Sequence, residues 1–493
     1  MQLARLAAAL LAGASLVASP VSAETLKEAL LRAYLANPTL SAARAQLRAT
    51  DELVPIQRAN GLPSVDASAT YSELLIQSTP SVVSPERRLG AGIDLAVPIY
   101  RGGAVKNGIR AAENRVEAGR ADLRGVESFI FTQVVAAYMD VILNEAIVAL
   151  SRNNVDVLAI NVEATSDRFQ IGDLTRTDVA QSESRLALAR GDLQSAEANL
   201  VEARERYIQF TGGPPTDLQP PPPLPGLPAT PDDAVDIALD NNPDLIAARE
   251  RADAAGFDID VAGSGRLPSV SVFTGTDYSN FLGSLPQGDN SGIDVTAGVQ
   301  LNVPLFQGGR VAAQQRQATA QAQAALEDVI AVERDVIAQV RAAFSSWRAA
   351  NAIIQSSQSA VDAAALSLEG VRAENSVGNR TVLDILDAQQ ELLRAQVQLV
   401  TARRNAYVAG FSLLAAMGRA EARDLGLEDA GPLYDPVANY DRVRTIIWDW
   451  QRDPDPVAVG TRTVDIPAQD GDIREDAPVL DPAIATPMGT TEY

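Results

Sequence analysis

Apolar positions along this chain follow a helical period over most of its length, broken by two short regions of strict alternation. Leu186, Leu193, Leu200 and Tyr207 are spaced by seven, and Ala189, Ala196, Ala203 and Phe210 follow each by three. A second stripe carries Leu392, Leu399, Ala406 and Leu413 beside Ala395, Ala402, Ala409 and Ala416. Such a/d seams predict coiled-coil helices, with alanines that let neighbouring helices approach closely. Before each stripe comes a long helical pattern. The first, Ala104 to Gln170, contains no proline, and at 1.5 Å per residue it would extend roughly 100 Å. Amphipathic helices are also predicted over Leu26–Asn60 and Asp232–Gly263.

The alternating regions read as strands. In Gly90–Val97, Ala91, Ile93, Leu95 and Val97 alternate with Gly92, Asp94 and Ala96. From Ile293 to Val303 every odd residue is apolar, and Asp294, Thr296, Gly298, Gln300 and Asn302 fill the other face. Val65–Tyr71 and Val270–Tyr278 are less regular but strand-like. A period of two over about ten residues suits a strand with one apolar and one wet face. A soluble sheet with one buried face satisfies the same periodicity. Tyr71, Tyr100, Phe273, Phe281 and Phe306 lie near strand ends, where interfacial aromatic girdles are expected.

These elements occur twice in one order. Asn37-Pro38 recurs as Asn242-Pro243 and Leu62-Pro63-Ser64 as Leu267-Pro268-Ser269, both 205 residues later. Val97-Pro98, Gly102-Gly103, Gly172 and Gly212 recur as Val303-Pro304, Gly308-Gly309, Gly378 and Gly418, all 206 later. The expected organisation is therefore a first repeat over residues 24–213, a Pro-rich connector over 214–231 and a second repeat over 232–419. A segment over 420–447 and a tail over 448–493 follow. Each repeat reads as helix, two strands and a long helix pair.

Composition narrows the chemistry. The chain of 493 residues has 41 basic and 63 acidic side chains, a net charge of −22, with neither Cys nor His. Acidity on this scale opposes a nucleic-acid partner. Disulfides, thiolate nucleophiles, His-dependent triads and Cys/His metal sites are excluded, and no cofactor is indicated. Arg5, the apolar run Leu6–Val17 and the small residues Val21-Ser22-Ala23 predict an export signal over residues 1–23, cleaved before Glu24. No later stretch supplies the roughly 18 uninterrupted apolar residues of a spanning helix. Four strands are too few for a membrane barrel, which has at least about eight and leaves no open edge in lipid. Such a protomer must share its barrel, and three copies would supply twelve strands, although two would reach eight.

The segments VPIYRGG (97–103) and VPLFQGG (303–309) resemble the strand-to-helix hinge of TolC-like outer-membrane efflux and type I secretion channels. SVGNRTVLDILDAQ (376–389) is similar to that family's periplasmic helix turn. The resemblance covers nearly all of residues 24–419. It implies a mixed α and β membrane protein: an internally duplicated protomer giving four strands to a twelve-stranded trimeric outer-membrane barrel. Long coiled-coil helices would form a periplasmic α-helical barrel, and 420–447 would join the equatorial belt. It further implies a homotrimer in a Gram-negative outer membrane, in contact with its lipid. The partners would be a periplasmic adaptor and an inner-membrane transporter, the cargo protein or small molecules, and the role non-enzymatic.

Each motif also has a local reading. Gly102, Gly103, Gly308 and Gly309 permit the dihedrals of a strand turning into a helix, and Pro98 and Pro304 are expected to end strand pairing. Gly172 and Gly378 mark the helix turns at the tip. Asp384 and Asp387, three apart on one helix face, would form carboxylate rings in a trimer, which the resemblance makes the selectivity gate. Asp178 and Arg380 match residues whose cross-helix links hold the closed mouth. Thr175-x-x-Asp178 and Thr381-x-x-Asp384 read equally as capping boxes, whereas Asp387 corresponds to Gln181 and Arg380 to Leu174, so both break the repeat. Asn375 stands where relatives often carry an aromatic.

Residues 421–493 hold 16 acidic and 6 basic side chains, and the last forty or so are expected to be disordered. Trp448 and Trp450 would anchor this tail or mark its last ordered turn. A non-channel coiled-coil tether would need the helices but not the alternating strands. A carbohydrate-active enzyme could use paired carboxylates, but these acids sit on coiled-coil helices without an evident pocket.

Overall fold

The computed structural model describes residues 23–76, 87–282 and 291–473. The predicted export signal, apart from Ala23, lies outside the described residues, as do residues 77–86 and 283–290 between the strands of each repeat. In each repeat a helical N-terminal segment leads to two strands and then to a helix of 67 residues, α4 (Ala104–Gln170) or α8 (Arg310–Ser376). Each long helix turns back into a shorter partner, α5 (Arg176–Thr211) or α9 (Val382–Ala416).

The expected single helix over 26–60 is divided into α1 (Leu26–Ala36), α2 (Pro38–Asp51) and α3 (Leu53–Ala59). Asn37 causes the first break. Its side-chain oxygen accepts from the amides of Thr39 and Leu40 at 2.9 and 3.3 Å, capping α2 with Pro38 at the first helical position. Its amide nitrogen donates to the carbonyl of Phe210 at 3.0 Å, tying the break to the end of α5. The second repeat does the same: Asn242 separates α6 (Pro231–Asn241) from α7 (Pro243–Gly263) and donates to the carbonyl of Ala416 at 3.0 Å. Periodicity carries across the break because both halves bury apolar residues on the same bundle.

The strands β1 (Ser64–Glu73), β2 (Arg87–Arg101), β3 (Ser269–Phe281) and β4 (Ser291–Asn302) form one antiparallel sheet in the order β1-β2-β3-β4. The sheet therefore joins the two repeats through β2 and β3. In this register Tyr71, Leu89, Tyr278 and Ile293 lie on the same face as Val65, Leu95, Val272 and Val299. Asp66, Asp94, Asp277 and Asp294 lie on the opposite face, Asp66 beside Asp94 and Asp277 beside Asp294. The apolar face is uncovered: Ile293, Val295, Val299 and Leu301 are 62–71% exposed. Tyr71 and Tyr100 belong to this face, whereas Phe273 and Phe281 lie on the aspartate face and do not join an outer girdle. Gly298 leaves room for the Phe273 ring, since a Cβ there would stand 2.9 Å from it.

Pro98 does not end its strand. Pairing slips between Pro98 and Tyr100 and resumes to Arg101, so the proline produces a bulge. β4 does stop, at Asn302, before Pro304. Gly102 has φ +63°, and a Cβ there would meet the carbonyl oxygen of Ser264 at 2.7 Å, so conformation and space both require glycine.

The main core lies where the helices of both repeats meet. Phe131, Val134, Tyr138 and Val141 of α4 are fully buried there with Tyr207, Leu245, Val340 and Leu413. The middle of α4 is long and apolar enough to cross a membrane by composition, although Asp140 and Glu145 interrupt its apolar run, and 56% of that stretch is buried within the protein. It is a core helix. The coiled-coil stripe is buried at Leu186, Ala189, Ala196, Leu200, Ala203 and Tyr207, and again at Ala395, Leu399, Ala402, Ala406 and Leu413.

Within the tail, as far as Ile473, residues 460–473 run as an extended strap from the α1–α2 junction along α5. Thr461 donates its amide to the carbonyl of Ala36 at 3.4 Å, and Gln469 donates its amide to Glu205 at 3.1 Å. Arg204 bridges Glu145 of α4 at 3.0 Å and Asp470 at 3.3 Å; Arg152 lies 3.7 Å from both Glu197 and Asp472. Gly471 lies so close to α5 that a Cβ would stand 2.7 Å from that of Glu197. Acid-rich composition signals weak self-association, but it does not register two arginines waiting on a neighbouring helix pair. Trp448 and Trp450 remain exposed. Residues 474–493 lie outside the described part.

One buried acid gives the fold a pH dependence. Glu127 of α4 accepts a hydrogen bond from the amide of Ala422, and burial, helped by nearby Glu421 and Asp424, pushes its carboxyl up from 4.5 to about 7. Between those values the folded chain holds a proton that the unfolded chain releases, so this group's contribution to stability falls as pH rises. Glu127→Gln should leave thermal stability at pH 5 nearly unchanged. At pH 8 it should stabilise the protein, by at most about 3 kcal/mol, in paired thermal melts.

Candidate functional site at the helix-turn tip

The two helix turns use one construction. Gly172 and Gly378 adopt φ of +83° and +80°, letting the chain leave one helix and enter the next. Thr175 and Thr381 then cap α5 and α9. Each threonine hydroxyl lies 3.3 Å from the amide three residues on, and each aspartate, Asp178 or Asp384, accepts from its threonine's amide at 2.9 or 2.8 Å. The threonine hydroxyl, followed by its amide, holds the Asp178 and Asp384 carboxyls below the ordinary range. Both acids are therefore charged at neutral pH and both are helix caps.

Arg380 is occupied within its own turn. It pairs with Glu374 at 2.7 Å and stands 3.9 Å from Asp384. Glu374, chiefly by hydrogen bonding, pushes the guanidinium further above its ordinary range. Within the protomer Arg380 and Asp178 have no contact with one another among the ion pairs described. Asn375 donates its side-chain amide to the carbonyl of Arg380 at 2.7 Å. Asparagine thus clasps the turn by hydrogen bonding where stacking would need a ring.

Asp387 has a different role. It accepts from Arg185 of α5 at 2.6 Å, linking the two repeats across the tip. Beneath the pair, Leu386 packs with Leu158 of α4 and with Leu186 and Ala189 of α5. Buried Gln389 accepts from Asn161 of α4 at 3.1 Å. The first turns of α9 are thus seated against both helices of the first repeat. Sequence reasoning passed over Arg185, although it carried a usable signal. Arg185 corresponds to Glu391 as Asp387 corresponds to Gln181, so both partners are charges that break the duplication. Glu374, Asn161 and Gln389 carried no such mark.

The pair is partly solvated, its side chains 34% and 58% exposed. A double-mutant cycle with Arg185→Ala and Asp387→Ala should give a coupling of about 0.2–1 kcal/mol. Hydrogen exchange of the amides around Leu386 would read it out, and the coupling should fade in high salt.

Two comparisons concern sequence. The family model described as "Outer membrane efflux protein" matches residues 29–213 and again 234–419. The outer membrane efflux protein BepC of Brucella suis biovar 1 is 35% identical over 91% of this chain and 96% of its own length. The outer membrane protein TolC of Vibrio cholerae serotype O1 is 27% identical over 84% of this chain and 95% of its own. Among solved structures, the CmeC outer membrane channel of Campylobacter jejuni superposes with a TM-score of 0.70 at 16% identity, covering 85% of this chain and 89% of that one. With a twofold family match on the two repeats and a relative aligned almost end to end, this chain belongs to the outer membrane efflux protein family.

Proposed function

We propose that three copies of this chain form a passive duct through the outer membrane and periplasm, the exit route of a tripartite efflux or type I secretion system. The observation that carries this reading is the sheet. Its apolar face is bare, and among the described residues β1 and β4 each leave one backbone edge without a partner in the protomer. In hydrocarbon that edge is satisfied only by closure with neighbouring copies. Three protomers give twelve strands, with the apolar face toward lipid and the aspartate face lining the lumen. The hinges at Gly102-Gly103 and Gly308-Gly309 then deliver α4 and α8 downward, and helices of this length reach far into the periplasm.

The tip is the gate in this reading. Asp384 and Asp387 of three protomers surround the mouth as carboxylate rings. Capping and the Arg185 link hold these acids in place, so their structural and selective roles coexist. Asp178 and Arg380 belong to the closed-state constriction only across protomers, since each is satisfied locally within one chain. A periplasmic adaptor and an inner-membrane transporter would favour the dilated mouth by binding it more tightly. The transporter selects the cargo.

Purified trimer in a planar bilayer should show small, long-lived, cation-preferring openings, blocked by divalent cation added on the helical side. Asp384→Asn with Asp387→Asn should relieve that block. Part of the cation preference should persist, because Asp66, Asp94, Asp277 and Asp294 remain in the lumen. Unaltered block in the double variant would reduce both mouth acids to capping and bridging. Protein that stays water-soluble and never inserts would overturn the duct itself.

A further inference from the structure

The residue that follows the predicted signal is the most heavily bonded in the N-terminal segment. Glu24 is buried, 3% exposed. Its carboxylate accepts from the Tyr207 hydroxyl at 2.6 Å, from Arg32 at 2.9 Å, and from the amide and hydroxyl of Thr216, both at 3.2 Å. Its carbonyl accepts from the amide of Gln219 at 3.0 Å and lies 2.9 Å from the Tyr138 hydroxyl. With Leu218 it forms an isolated parallel bridge to the connector between the repeats.

The backbone nitrogen of Glu24 is the unusual part. It lies 3.0 Å from the carbonyl oxygen of Thr216 and also 3.0 Å from that of Asp217. A peptide nitrogen has one hydrogen and can only share it between the two as a three-centre bond. A primary ammonium has three, enough for both carbonyls with one to spare. The spare donor has somewhere to go, since Glu24, Glu28, Arg32 and Thr216 line an open cleft at the same place.

We propose that the mature chain begins at Glu24 and that its new α-ammonium is a structural ligand, seated on the Thr216 and Asp217 carbonyls. Hydrolysis of the Ala23–Glu24 peptide bond supplies it: water adds hydroxyl to the Ala23 carbonyl carbon, and the leaving nitrogen takes up protons to become the ammonium. Because Glu24 is buried in the folded chain, the cut precedes docking. Processing then does more than release a leader. It produces the group that pins the first helix to the connector and, through Tyr138 and Tyr207, to α4 and α5. The charge is well placed among the Glu24 and Glu28 carboxylates, with Arg32 the one cation among the described residues that line the cleft. Burial holds both tyrosines neutral, as donors.

The chain suits a direct test, because Lys27 and Lys106 are its only lysines. Trimer purified from outer membranes would be treated with an amine-acylating ester, folded and denatured, and its terminal peptide read by mass spectrometry. The expected result is a chain starting at Glu24 whose α-amine reacts at least tenfold more slowly than Lys106 when folded, and at a comparable rate when denatured. An alanine inserted between Ala23 and Glu24 should move the α-amine off its seat and make it reactive in the folded protein. A mature chain starting elsewhere would overturn the proposal. So would a folded wild-type α-amine labelled as fast as Lys106, or an inserted variant equally protected. None of these readouts depends on conductance.

Discussion

Backbone groups at the two edges of a four-stranded sheet cannot be left unpaired in hydrocarbon, and the rest of this architecture follows from that constraint. Each unsatisfied amide or carbonyl there costs several kcal/mol, and β1 and β4 present whole rows of them. A soluble protein would cover the edges with a helix or loop. Here the helices go elsewhere. Gly102-Gly103 and Gly308-Gly309 turn the chain out of the sheet into α4 and α8, so the edges stay open for further copies of the same chain.

Duplication then sets the division of labour. Shared features maintain the scaffold: the Asn-Pro breaks, the Gly-Gly hinges and the Thr-capped tips occur in both halves. Features that break the repeat connect one half to the other. Arg185 and Asp387 join α5 to α9, and Arg404 of α9 pairs with Asp140 of α4 at 2.7 Å. The tail is asymmetric too, bridging α4 and α5 of the first repeat through Asp470 and Asp472. These pairs lie at least partly in water, where each contributes under about 1 kcal/mol. They act on top of a core of buried aliphatic and aromatic side chains, and their value lies in register more than in strength.

At the tip, local chemistry and site chemistry use the same atoms. Asp384 is a helix cap because Thr381 stands three residues before it, and the same contacts keep its carboxyl charged. Asp387 is more than half exposed, yet its carboxylate is held by Arg185. Leu386 between them packs against Leu158, Leu186 and Ala189 and so seats this end of α9 on α4 and α5.

From the sequence alone, the period of the apolar positions determined the elements, because helices and strands bury faces at 3.6 and 2 residues whatever surrounds them. The repeat landmarks determined the order of those elements, and the strand count determined that one copy is incomplete. Thr-x-x-Asp determined the caps, a contact within four residues. What only the tertiary structure decided is long-range: that Arg185 meets Asp387, that Phe273 lies on the aspartate face, that the acidic tail has a seat on α5, and that Glu24 is enclosed by α4, α5 and the connector. Each depends on residues far apart in the chain meeting at a particular distance. Periodicity names the face a residue occupies, but the partner waiting there is set by packing.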